Sequence, residues 1–159
     1  MILIAHRGNV YGPQSTSENH PDYVTRALDL GYDAEVDVWV RDGVLWLGHD
    51  HSEHRVNESL LMNPHVWCHA KHLDALDTLL TMGAHCFYHQ DDRFTLTSQK
   101  YIWTYPGFLT TQRSVAVLTG CAPQFLPERP CHGVCSDYVG IPFDDRFMKF
   151  ALEELQDVT

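Results

Sequence analysis

Short apolar runs alternate with amphipathic stretches along the chain, a pattern that predicts an α/β layout with mostly parallel strands. The runs at 2–6, 34–40, 44–48, 66–70, 85–89, 101–105, 115–118 and 133–138 read as strands. Asp42-Gly43 sits between the second and third of these and is a tight-turn signal, so 34–48 reads as an antiparallel hairpin. About seven strands then remain for the main sheet. Three stripes have helical spacing. The first starts at Pro21, carries Val24, Ala27, Leu28 and Leu30, and stops at Gly31. The second runs through Leu73, Leu76, Leu79 and Leu80 to Gly83, and the third through Met148, Ala151, Leu152 and Leu155 after Asp144 and Asp145. An amphipathic face needs burial, so all three read as core-packing surfaces.

The chain has 159 residues, enough for one core, and no repeat or linker divides it, so 1–159 is expected to form a single domain. A full barrel of eight strand–helix units needs about 250 residues. The expected fold is therefore a reduced (β/α) TIM-type barrel with fewer helices than the full form. The stretch 106–130, rich in proline, threonine and glycine, is where helices are expected to be missing.

Composition narrows the functions. A formal net charge of −10 provides no basic stripe for a phosphate backbone, so nucleic acid is excluded as a partner, and an anionic substrate calls for a bound cation. No run approaches the roughly 20 apolar residues of a membrane span. The opening MILIAHRG reads as a first strand and not as a secretory signal. Five cysteines without a C-x-x-C pair suit a reducing compartment, and cytoplasmic residence is the expectation. Cys68, Cys86 and Cys135 fall inside strands and read as small apolar residues. The eleven histidines are the compositional oddity, since imidazole serves proton transfer and metal ligation near neutral pH.

In a parallel barrel the C-terminal strand ends converge on one mouth. The first strand delivers His6 and Arg7 there. The second carries Glu35 and Asp37 two residues apart, on one face and about 7 Å from each other along the strand. Apolar surroundings cannot hold two unpaired carboxylates, so the pair is either a metal site or part of a salt-bridged interior. The hairpin returns Gly48-His49-Asp50 toward the same mouth, and two facing histidines can act as acid and base. His89 reads as a strand-end histidine able to supply a further contact, Glu18 and Asn19 as a brace for the loop after the first strand, and His51 and His54 as surface residues.

The order "IAHRG", "SEN", "AEVDVWVRDGVLWLGHD" over 4–50 closely resembles the N-terminal signature of the glycerophosphodiester phosphodiesterase family, which shares a barrel with phosphatidylinositol-specific phospholipases C. "WCHAK" is similar to the family strand that bears a lysine, "IWTYPG" to its penultimate strand and "HGVCSDYVG" to its last, where Gly133, Ser136 and Asp137 would line or support the mouth. The resemblance implies a metal-dependent phosphodiester hydrolase acting on a small-molecule, glycerophosphodiester-like substrate. It makes His6 and His49 the acid–base pair, Arg7 and Lys71 the phosphate contacts, Trp103 an apolar wall, and Glu35 and Asp37 ligands of Mg²⁺ or Ca²⁺. The family's third carboxylate ligand is replaced by His69, and a nitrogen donor shifts preference toward Mn²⁺ or another transition metal. The alternative implied by that replacement is a non-catalytic barrel that binds a phosphorylated ligand or a metal; a lyase stopping at the cyclic phosphate is a third possibility.

Overall fold

The computed structural model describes residues 1–118, 127 and 129–141. Among these, ten strands form one sheet, with β1 Ile2–His6, β2 Asp33–Arg41, β3 Val44–Leu47, β4 His54–Arg55, β5 Val66–Ala70, β6 Cys86–Phe87, β7 Phe94–Leu96, β8 Ile102–Thr104, β9 Ser114–Leu118 and β10 Gly133–Ser136. Three helices accompany them among the described residues, α1 Pro21–Asp29, α2 Glu58–Leu61 and α3 Leu73–Met82. The expected third stripe lies outside the described residues. No helix among them is long and apolar enough to cross a membrane.

The parallel ladders run β6-β5-β2-β1-β10-β9-β8, with β7 antiparallel on β8 and the β3–β4 extension antiparallel on β2. Asp42 and Gly43 turn the β2–β3 hairpin with φ of 52° and 72°, the double positive φ of a type I′ turn.

The expectation of a reduced (β/α) TIM-type barrel is overturned. The protein is mostly sheet, curled into a mixed half-barrel, and strands and helices do not alternate around it. α1 and α3 are crossovers from β1 to β2 and from β5 to β6, but β6 reaches β8 through β7, and β8 reaches β9 through a loop. The sheet also stays open, since β6 pairs only with β5, and β7 only with β8, among the described residues. The length of the connecting segments is the physical reason. A crossover helix needs a dozen or more residues between parallel strands, and the segments on either side of β8 are spent on β7 and on turns. Three elements escaped the sequence pattern, β4, β7 and α2, because runs of two to four residues are too short to show a period.

Period-two alternation sorts the side chains between two cores. On the outer face Ala34, Val36, Val38, Val66, Cys68, Ala70 and Cys86 pack with Val24 of α1, Leu61 of α2 and Ala75 and Leu79 of α3. Inside the curl Ile4, Trp67, Phe87, Trp103, Val115 and Cys135 form the other core. Burial pushes the thiols of Cys68 and Cys135 well above their ordinary range, so they behave as the inert apolar fillers the sequence suggests.

Candidate active site

The residues that alternate with the apolar ones on β2 and β5 are Glu35, Asp37, Trp67 and His69. Parallel pairing in the register Glu35↔Trp67 and Asp37↔His69 brings His69 beside the two carboxylates, while His6 pairs with Glu35 across β1. Glu35 and Asp37 are 3% and 1% exposed. The three candidate ligand atoms of Glu35, Asp37 and His69 all lie within 4.8 Å of one another. They line a cavity of about 260 Å³ at the C-terminal strand ends, together with His6, Arg7, His49, His89, Trp103, Tyr105 and Asp137.

Of the expected site residues, His6, Arg7, Glu35, Asp37, His49, His69 and Trp103 meet in this cavity. Lys71 reaches the cluster through Asp37 instead, its Nζ donating to Oδ1 at 3.1 Å.

The two carboxylates are neutralised unequally. Asp37 Oδ1 has His69 Nδ1 and Lys71 Nζ each at 3.1 Å, Oδ2 accepts from Asn19 Nδ2 at 3.0 Å, and Arg7 Nε stands 3.2 Å from Oδ2 as an ion pair without a hydrogen bond. Burial alone would raise its pKa, but the His69 hydrogen bond and the Lys71 charge, with further help from His69 and Arg7, hold it far below the carboxylate range. Glu35 has one hydrogen bond among the described residues, from the Arg7 backbone N–H at 3.2 Å, with His6 and His69 nitrogens at 3.9 and 3.8 Å. Its pKa is pushed up, by burial first and then by the Asp37 charge. A buried carboxylate left short of positive charge is where an added cation has most to contribute.

His69 makes the same point independently. Its Nε2 lies 3.3 Å from the His89 carbonyl oxygen and its Nδ1 3.1 Å from Asp37 Oδ1, and both of these oxygens can only accept. A neutral ring can serve only one of them, and when its proton sits on Nε2 the Nδ1 lone pair faces Asp37 Oδ1 and Glu35 Oε1, an arrangement that calls for a positive charge among the three. A ligating histidine whose other ring N–H is tied to a backbone carbonyl is the usual outer-shell pattern of metal sites. The donor set therefore fits a divalent cation.

His6 is held differently. Its Nδ1 sits 2.8 Å from Asp137 Oδ1, and Asp137 in turn accepts from Asn9 Nδ2 at 2.8 Å. Asp137 accepts the hydrogen bond of Nδ1–H and leaves Nε2 as the nitrogen on the Glu35 side of the ring. Burial works against a charged imidazole here, yet the Asp137 hydrogen bond and the Glu35 charge outweigh it, and the pKa is raised. His49, on the cavity rim and exposed, pairs its own Nδ1 with Asp50 Oδ1 at 2.8 Å.

Left-handed backbone positions build this mouth. Arg7 has φ 52°, which swings its amide toward Glu35 and its guanidinium between Asp37 and Glu18 at 3.2 and 3.0 Å. The following Gly8 has φ 85°, and a side chain there would meet the Tyr23 ring and the α1 backbone at 3.0 to 3.3 Å. Asn19, buried at φ 61°, clasps Asp37 twice, donating from Nδ2 and accepting the Asp37 amide at 2.9 Å on Oδ1.

Sequence reasoning did not reach Asn9, the clasp made by Asn19, Tyr105 at the cavity wall, or Asp137 as the partner of His6. The accessible signal was the asparagine type itself, which tolerates left-handed backbone and recurs in the loop after β1. Comparison of the chain with protein-family models, with curated proteins and with solved structures gives no match.

Proposed function

We propose that the protein is a metal-dependent phosphodiester hydrolase acting on a glycerophosphodiester-like substrate, with His6 and His49 as its acid–base pair. The observation that carries this reading is the meeting of His6, His49, Glu35, Asp37 and His69 around one cavity, from four separate strands and their loops. The resemblance over 4–50 supplies the reaction class and the family's cyclising route.

Glu35, Asp37 and His69 would hold the cation, which when bound neutralises charge on the phosphoryl oxygens. The remaining chemistry belongs to the side chains. Asp137 fixes the His6 ring so that Nε2 exchanges the proton on the cavity side, and Asp50 does the same for His49. One imidazole takes the proton of the substrate's adjacent hydroxyl as that oxygen bonds to phosphorus; the other protonates the departing alkoxide. The same pair, in reversed roles, then assists water in opening the cyclic phosphate. Arg7, kept charged by Asp37 and Glu35 against the effect of burial, contributes a fixed positive charge at the cavity wall. Lys71 is assigned to the phosphate by resemblance and neutralises Asp37 until it is drawn there. Trp103 forms an apolar wall. Buried thiols and the odd cysteine count fit work in a reducing compartment such as the cytoplasm.

The deciding experiment is turnover of glycerophosphodiesters and of a chromogenic phosphodiester with Mg²⁺, Ca²⁺ and Mn²⁺, followed by phosphorus NMR of the products. Metal-supported hydrolysis that disappears in both His6→Ala and His49→Ala is the expected result, and accumulation of a cyclic phosphate would instead assign a lyase. One observation favours a second reading, a non-catalytic domain that binds a phosphorylated ligand. Asp37 is already paired with Arg7 and Lys71 and hydrogen-bonded by Asn19, as in a structural ion cluster. Calorimetry showing phosphate-ester binding without turnover, unchanged in His49→Ala, would decide for that reading.

A further inference from the structure

His69 packs beside two rings on the side of the cavity formed by β6, and these are themselves 5.9 Å apart, so both lie to one side of it. Its ring stacks on Phe87 at 5.2 Å with planes 1° apart, and on His89 at 4.5 Å with planes 9° apart. Phe87 stacks in turn on Trp103 at 4.5 Å and is 2% exposed, so the stack is anchored in the inner core. The end of β6 therefore packs along the imidazole, and contacts from Nε2 to the His89 carbonyl at 3.3 Å and from Nδ1 to Asp37 Oδ1 at 3.1 Å set its rotation. Nδ1 is the nitrogen that faces the carboxylates, 3.8 Å from Glu35 Oε1 and 3.1 Å from Asp37 Oδ1.

Hard cations such as Ca²⁺ collect six to eight oxygens in flexible arrangements, and Mg²⁺ demands near-octahedral oxygen. A rigid imidazole nitrogen placed among two carboxylates is a poor partner for either. It suits borderline first-row cations, for which imidazole is a preferred donor. We infer that this centre takes Mn²⁺, Co²⁺ or Zn²⁺ in preference to Mg²⁺ and Ca²⁺, with His69 Nδ1 as the selecting donor and the Phe87–His89 end of β6 as the element that positions it. The inference rests on the metal-dependent reading above and deepens it. Phe87 touches no cation and is a positioning residue.

The test uses the full chain, stripped with a chelator, and reads binding and not turnover. Calorimetric titration at one pH with Mn²⁺, Zn²⁺, Mg²⁺ and Ca²⁺ is expected to give affinities for the first two at least about tenfold above those for the last two. In His69→Glu, with the fold checked by circular dichroism, the gap narrows or reverses; His69→Gln serves if the glutamate variant does not fold. Phe87→Leu weakens Mn²⁺ by about tenfold with the cavity ligands intact. Nitrogen-15 NMR of the histidines in the Zn²⁺ complex places the His69 proton on Nε2 and shifts Nδ1. Mg²⁺ or Ca²⁺ binding as tightly as Mn²⁺ would leave the metal-dependent reading standing and overturn this inference. Binding of no cation at all, or a His69 that stays protonated on both nitrogens with Zn²⁺ present, would overturn both.

Discussion

The two ends of the curled sheet use the same side chains to opposite effect. At the C-terminal strand ends, His6, His49 and His69 stand against Asp137, Asp50 and the Glu35–Asp37 pair, and the His6 pKa is raised. At the N-terminal ends, His65, His85 and His132 gather with Asp33, Trp67 and Tyr101. Asp33 gives one oxygen to His65 Nδ1 at 2.8 Å and the other to Trp67 Nε1 at 2.9 Å, which leaves little for the other imidazoles. His85 packs on Trp67 with ring centres 3.9 Å apart, and His132 stacks on Tyr101 at 4.2 Å. Burial lowers the pKa of both, that of His85 to about 4. His6 is held toward its charged form at one end and His85 and His132 toward the neutral form at the other, and the difference lies in what surrounds each ring, carboxylates or other rings.

Substitutions can break the comparison. The largest effect belongs to the mouth: His6→Gln should lower phosphodiester turnover by about 10²- to 10⁴-fold, the usual scale for a lost acid or base, while thermal unfolding moves little. His85→Gln should leave turnover within a small factor. A His85 variant that matched His6→Gln in steady-state assays would erase the distinction between the two ends.

The two carboxylates of the mouth should differ almost as strongly. Asp37→Ala strands Arg7 and Lys71 beside a buried gap and should cost about 3 to 5 kcal/mol in urea unfolding. Glu35→Gln removes a charge that the surrounding chain neutralises poorly. In chelator it should unfold no more easily than the parent, and the parent's gain in melting temperature on adding Mn²⁺ should vanish.

At the opposite end the comparison becomes a pH dependence. Unfolded, His85 titrates near 6.5; folded, it is held at about 4, so between these values the unfolded chain binds more protons. Its contribution is fully present above about pH 6.5 and declines as the pH falls toward 4, by at most about 3 kcal/mol. Urea unfolding at pH 7 and pH 4.5 should show this loss in the parent, with a shallower slope in His85→Phe, and identical slopes would refute the assignment.

The smallest effect expected is that of the clasp. Asn19→Gly keeps the positive φ and removes both hydrogen bonds to Asp37, at a cost of about 1 to 2 kcal/mol. Asn19→Ala adds the strain of a left-handed alanine and should be the worse of the two in the same unfolding assay.

Much of this arrangement is legible in the chain because it is periodic. E-V-D on β2 and W-C-H on β5 alternate inward and outward, so the spacing alone places Glu35 and Asp37 on one face and His69 two residues from Trp67 on its own strand. The hairpin at Asp42-Gly43, α1 and α3 are equally open to reading, since turn and cap residues mark them. The connections between the later strands are not. Alternating runs suggest a helix after every strand, but nothing in a local pattern says that β7 will fold back on β8 or that the sheet will remain open. The pairing of His6 with Asp137 spans 131 positions and depends on β1 and β10 becoming neighbours, a fact of topology and not of composition. Asn9 and Asn19 escape notice because their work is done by side-chain amides whose partners, Glu18, Asp137 and Asp37, are brought together only by the fold.

The central claim is that Glu35, Asp37 and His69 share one divalent ion inside the cavity that His6 and His49 border. Crystals soaked in Mn²⁺ and measured at the manganese absorption edge test it directly. The account predicts one anomalous peak within bonding distance of a carboxylate oxygen of Glu35, one of Asp37 and His69 Nδ1. A cavity without a peak, with Lys71 and His69 still closed on Asp37 at saturating Mn²⁺, would contradict it.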